Sequence, residues 1–164
     1  MTTIESALER PHVLIVTDDA DLSAFLAEGL VYGGFWTSTI ASGIQTLEVF
    51  RLRTFDLVLI DAPCTGTGAW RRNPDAKWRM RPGALEQRQK EQAEILDRAV
   101  PLLKAGGRIV YITCSVLDEE NGAQVRAFLA RHPEFSMRPP AEVVKALGER
   151  AFMFDRAARL SDEG

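Results

Sequence analysis

The sequence predicts an α/β fold, a three-layer doubly wound parallel sheet, from three observations. Short continuous apolar runs, HVLIV (12–16), FDLVLI (55–60) and RIVYIT (108–113), suit strands buried on both faces. Stretches with apolar residues at helical spacing separate them, and polar or small loop residues follow each run. Alternation of this kind makes parallel strands with right-handed crossovers. The 164 residues, 46% hydrophobic and 26% charged, are ordinary globular composition and lead us to expect one domain over 1–164.

The elements follow in order. After HVLIV, Asp18, Asp19 and Asp21 mark a loop and helix start, and Leu22, Phe25, Leu26 and Leu30 form the helix's apolar positions. Gly33 and Gly34 end that helix, and the aromatic and β-branched segment FWTSTI (35–40) reads as the second strand. Ile44, Leu47 and Phe50 predict a helix over 41–53. FDLVLI is the third strand, with Asp61 at its carboxyl end, and DAPCTGTG supplies a loop. The spacing of Ile95, Leu96, Ala99, Leu102 and Leu103 predicts a long helix over 84–104, kinked by Pro101 and stopped by Gly106 and Gly107. RIVYIT is the fourth strand, followed by an acidic helix start at Asp118, Glu119 and Glu120. Phe135–Met137 is a possible extra edge strand and 141–147 a short helix. The expected strand order is about 2-1-3-4, a Rossmann-like or flavodoxin-like arrangement.

Composition excludes several classes. Two cysteines cannot make a disulfide framework or a four-ligand zinc site, and a cytoplasmic location is the natural expectation. The uncharged stretch 29–47 is too rich in Gly, Ser and Thr to cross a membrane. The net charge of −3 argues against a general nucleic-acid binder, yet it is unevenly distributed. Between Arg71 and Pro82, Arg71, Arg72, Lys77, Arg79 and Arg81 against the single acid Asp75 give +4, leaving −7 elsewhere. Oligomeric state leaves no mark on the sequence.

Ligands of such sheets sit outside the carboxyl ends of the strands. Three strand ends face that crevice: Thr17–Asp19, Asp61–Cys64 and Thr113–Ser115. Asp61 reads equally as a site acid or as a loop-capping aspartate before Pro63. Cys64 and Cys114 read as buried inert thiols or as a reactive pair, and their place beside small polar residues favours the pair. In WRRNPDAKWRMRP (70–82), Trp70 and Trp78 alternate with basic residues, the combination that contacts phosphates by charge and bases by stacking; the plain alternative is a solvated loop.

DAPCTGTG (61–68), RRNPDAKWR (71–79), LLKAGGRIVYITCS (102–115) and DEEN (118–121) resemble the catalytic half of the RsmB/NOP/Sun family of S-adenosylmethionine-dependent RNA cytosine-5 methyltransferases, over residues 55–135. The resemblance implies that Cys114 is the nucleophile that adds to C6 of cytosine, that Cys64 helps release the product, and that Asp61 contacts the target base. It makes RNA the expected partner of the 71–82 loop through Arg71, Arg72, Lys77 and Arg79. It also implies S-adenosylmethionine as cofactor, with an incomplete site: the first strand leads to TDDADL, where the family's glycine-rich loop would lie, so the cofactor-binding residues are unknown.

Residues 12–63 resemble instead a response-regulator receiver domain, through HVLIVTDDADL, ASGIQTLEVF and FDLVLIDAP. Under this alternative Asp61 is the phosphoacceptor and Asp18 the Mg²⁺ ligand, with Thr17 where receivers carry their first acid. The chain then joins a receiver-like front half to a methyltransferase-like back half, with one activity or neither.

Overall fold

The computed structural model describes residues 10–41, 50, 52–139 and 141–142. Among them are four strands, β1 (His12–Val16), β2 (Trp36–Ile40), β3 (Phe55–Asp61) and β4 (Leu103–Ile112), and three α-helices, α1 (Ala20–Tyr32), α2 (Ala84–Ala99) and α3 (Gly122–Arg131). The chain divides into two compact units, Met1–Phe128 and Leu129–Gly164.

In the first unit the strands form one all-parallel sheet, ordered β2-β1-β3-β4, with helices flanking it as expected. Val13 of β1 pairs with Thr37 on one side and Leu57 on the other, so β1 is central. Its apolar run is accordingly sealed, with Leu14, Ile15 and Val16 fully buried. Phe55, Val58 and Ile60 of β3 and Ile95, Leu96 and Ala99 of α2 complete the core. The chain leaves β1 toward β2 in one direction and returns to β3 on the other side. The strand order therefore reverses between β1 and β3, where doubly wound sheets open a crevice.

Helix α1 starts at Asp19, whose Oδ1 accepts from the Leu22 amide at 2.9 Å, and ends at Gly33. Its apolar positions are less covered than their spacing predicts. Leu22, Leu26 and Leu30 are half-buried and Phe25 is exposed.

Three expectations need correction. The long helix stops at Ala99: Pro101 has no amide to continue it and sits in a 3-10 turn over Val100–Leu102. Leu103–Gly107, expected as helix end and stop signal, instead begins β4. There Gly106 takes φ +76°, and the β3–β4 register shifts, so Phe55 pairs with Leu103 but Leu57 with Arg108. The glycines thus build a bulge, spanned by the Lys104 Nζ to Asp56 Oδ2 ion pair at 2.8 Å. The acidic segment 118–120 is a separate 3-10 turn, with α3 beginning only at Gly122.

In the second unit, Phe135–Met137 forms no edge strand. It lies between Pro133 and Pro139, and the Phe135 amide turns back to the His132 carbonyl at 3.0 Å. Most of the helix expected over 41–53 and most of that over 141–147 lie outside the described residues.

Candidate functional site

The carboxyl ends of β3 and β4 carry the two cysteines. The Ala62 amide donates to the Ile112 carbonyl at 2.8 Å, continuing the ladder one step beyond β3 and carrying both chains out side by side. The loops then cross-link. Gly68 N donates to the Cys114 carbonyl at 3.0 Å, the Thr67 and Ser115 hydroxyls lie 3.0 Å apart, and Val116 N donates to Thr67 Oγ1 at 3.0 Å. Cys64 Sγ and Cys114 Sγ meet at 3.1 Å, both free thiols, with Cys114 exposed and Cys64 half-buried. Fifty residues of sequence separate them, and the fold places them in contact.

Burial pushes the Cys64 thiol up to about 11, reinforced by its hydrogen bond to Cys114. Cys64 is therefore a neutral thiol near neutral pH, with its S–H available to the Cys114 sulfur 3.1 Å away.

Asp61, the last residue of β3, stands at the switch point. Its Oδ2 accepts from Thr17 Oγ1 at 2.8 Å, and Thr17, buried after β1, also accepts from the Asp19 amide at 3.1 Å. Asp61 thus has a fixed orientation among the strand ends. Asp18 lies exposed in the same turn. Among the described residues no three His, Cys, Asp or Glu side chains gather where a metal could be held, so Mg²⁺ at Asp18 gains no support.

A cavity of about 440 Å³ opens beside Cys64 and Thr65, lined also by Arg79 and Arg81 and by Gln87 and Arg88 of α2. Arg79 therefore faces the cysteine loop. Arg71, Arg72 and Lys77 do not line this cavity; they are exposed on the adjoining loop, which contains a 3-10 turn over Pro74–Arg79. Lys77 Nζ lies 4.8 Å from the Trp78 ring centroid. Trp78 is 79% exposed and free to stack, whereas Trp70 is half-buried with its indole nitrogen enclosed.

The sequence reading passed over the residues beneath this surface. Glu120 is fully buried, and both its oxygens face Thr65, the residue after Cys64: Thr65 N donates to Oε1 at 2.8 Å and Thr65 Oγ1 to Oε2 at 2.5 Å. Gln92 Nε2 donates to Glu120 Oε1 at 3.0 Å and to the Pro63 carbonyl at 2.9 Å. Burial alone would raise the Glu120 pKa, but hydrogen bonds from Ser115, Thr65 and Gln92 outweigh it and hold the carboxyl below its ordinary value. The sequence signal was DEEN, read as a helix start and as part of the family motif.

A doubly wound parallel sheet bearing a cysteine pair at adjacent strand ends, beside an arginine-lined cavity, defines the class. The profile of the family described as 16S rRNA methyltransferase RsmB/F matches residues 37–153, and the chain belongs to that family. It is 54% identical over 83 residues to the ribosomal RNA small subunit methyltransferase B of Salmonella arizonae, an alignment that takes in 51% of this chain and 19% of the relative. The chain thus spans about a fifth of that relative's length. Among solved structures, PH0851 superposes with a TM-score of 0.57 at 27% identity, over 82% of this chain and 38% of that one. NSun6 from Pyrococcus horikoshii, solved with SFG, gives 0.52 at 22% identity over 73% and 30% of the two chains, a likeness of fold. No helix among the described residues is long and apolar enough to cross a membrane.

Proposed function

We propose that this chain carries the cytosine-activating centre of an RNA cytosine-5 methyltransferase. The observation that carries the reading is the 3.1 Å contact between Cys64 and Cys114 at the ends of adjacent parallel strands. Cys114 Sγ, as thiolate, adds to C6 of the base; the C5–C6 π electrons move toward C4–N3 and leave C5 nucleophilic. Asp61, oriented by Thr17, is the acid placed to meet the base's polar edge. After C5 has reacted, Cys64 gives its proton to solvent, the thiolate so formed takes the C5 proton, and Cys114 leaves as thiolate; the raised pKa of Cys64 makes that thiolate scarce near neutral pH but a strong base once formed. Arg79 lines the cavity beside Cys64, and Arg71, Arg72 and Lys77 supply phosphate contacts outside it. RNA is the partner in this reading. Residues 12–63 and 55–135 are read as a receiver-like and a methyltransferase-like half sharing β3.

S-adenosylmethionine is the methyl donor that the family implies, and the neighbouring NSun6 structure holds SFG, an analogue of it. The described residues after β1 do not fit that group. The turn presents the carboxylates Asp18 and Asp19, and the Asp19 side chain itself takes one free amide of α1, that of Leu22. A ligand carboxylate would meet like charge there and compete with Asp19 for that donor.

The test therefore dispenses with the cofactor. Addition of Cys114 makes C5 exchange its hydrogen with water, so RNA carrying 5-tritiated cytidine should release tritium to solvent without any methyl donor. Cys114→Ala should abolish the release, and wild-type protein that releases none overturns the reading.

A further inference from the structure

Two consecutive residues hold the two cysteine loops. Glu120 grips the Cys64 loop through the Thr65 backbone and side chain. Asn121 grips the Cys114 loop: its Oδ1 accepts from Thr113 Oγ1 at 2.7 Å, and its Nδ2 donates to the Ser115 carbonyl at 3.0 Å and to the Leu117 carbonyl at 2.8 Å. Thr113 and Ser115 flank Cys114, and Thr65 follows Cys64. Each hand of the clamp therefore closes within one residue of a thiol.

The clamp has its own anchors. Tyr111 of β4 donates to the Glu120 carbonyl at 2.8 Å, Gln92 of α2 to its carboxylate at 3.0 Å, and Gln89 to the Glu119 carbonyl at 3.4 Å. A buried carboxylate is costly unless every oxygen is satisfied, and here the Thr65 amide and hydroxyl, Gln92 and Ser115 satisfy it. Isolated stability offers little reason for a charge in that position. Fixing the relative place of two loops that must bring thiols together is a reason, since a site displaced by about 1 Å can lose about a hundredfold in rate.

We infer that Glu120 and Asn121 are positioning residues, which act through Thr65 on Cys64 and through Thr113 and Ser115 on Cys114 to set the distance between the two thiols. Neither Glu120 nor Asn121 lines the cavity, and Glu120 reaches it only from behind, through Thr65, so both act on rate rather than on RNA affinity. The inference rests on the proposed function for its meaning but not for its test.

The distance can be read without RNA. In glutathione buffers, the two thiols and one glutathione disulfide give one Cys64–Cys114 disulfide and two glutathione thiols, and the equilibrium reports the effective concentration of one thiol at the other. The full chain is compared with Asn121→Ala, Glu120→Gln and Thr65→Val, each also melted. Folded variants should show an effective concentration lower by about tenfold or more, with Asn121→Asp between them and wild type. Where wild type releases C5 tritium, the same variants should lose turnover in proportion while half-saturation by RNA stays within about twofold. Wild-type effective concentration in the folded variants overturns the inference. So does a loss that merely follows melting temperature, including failure of all variants to fold, which would make the pair a stability element only. Absence of tritium release from wild type removes the proposed function and leaves the disulfide equilibrium to decide the clamp.

Discussion

Gly68 lies directly against Cys114: a Cβ on Gly68 would stand 2.9 Å from the Cys114 carbonyl oxygen and 3.3 Å from Val116 Cγ1. The obstacle is backbone, held by the Gly68 N–H itself at 3.0 Å, so it cannot swing aside as a side chain would. Gly68→Ala must push the Cys114 loop away from the Cys64 loop. We expect it to cost about 1–3 kcal/mol of stability, as overpacking does, and to lower tritium release further than the change in folded fraction accounts for. Thermal melts and the exchange assay on one preparation separate the two effects.

Alkaline pH should unfold the protein in a window set by Cys64. Its thiol is raised from the ordinary 9.0 to about 11, burial first and the Cys114 hydrogen bond second. The folded chain thus holds a proton that the unfolded chain releases. This contribution is full below pH 9 and disappears as pH rises through about 11. Tyr111, raised by burial and then by the Glu120 charge, acts in the same sense above its own ordinary value. Urea midpoints measured from pH 8 to 11.5 should fall, and Cys64→Ala should flatten the early part of that fall. An unchanged slope in the variant would assign the loss elsewhere.

Much of this architecture is legible in the residues. HVLIV and LVLI announce buried strands because β1 and β3 are interior to the sheet and covered on both faces, while Asp56 stands at the open start of β3, paired with Lys104. Gly106 and Gly107 mislead because a glycine pair serves a helix stop and a strand bulge alike; the choice lies with Asp56 on the neighbouring strand, whose ion pair with Lys104 no local pattern contains. At the site, strand-end logic brings Cys64 and Cys114 to one edge, but contact depends on the crossed hydrogen bonds of Thr67, Gly68 and Ser115. Glu120 is hidden for a stronger reason. An acid beside two others at a helix start looks solvated, and only the fold turns it inward onto Thr65 and Gln92.

Thr17 supplies a simpler test of the switch point. Its hydroxyl donates to Asp61 and accepts from the Asp19 amide, and the residue is only 4% exposed. Thr17→Val keeps the shape and leaves two polar groups without that partner, which costs about 1–3 kcal/mol. Thr17→Ser keeps the hydroxyl and should retain the bonds. If Asp61 orients the base, Val at this position lowers exchange turnover and Ser restores most of it; equal turnover in both would detach Asp61 from the chemistry.

The exposed basic turn is separable from the thiols. Arg71, Arg72 and Lys77 stand outside the cavity and exposed, so single alanine variants should weaken RNA binding without altering turnover at saturation. Each phosphate contact removed should flatten the dependence of log affinity on log salt by about 0.7 for a single strand. Trp78, 79% exposed beside Lys77, offers a stacking face, and Trp78→Ala should cost about 1–3 kcal/mol of RNA affinity with the salt slope intact. Trp70→Ala should behave differently, because its half-buried ring loses packing and the effect appears in melting temperature. Titrations at several salt concentrations distinguish these cases. A salt slope that ignores all three cations would show that phosphate is held elsewhere, with Arg79, Arg81 and Arg88 of the cavity the next candidates.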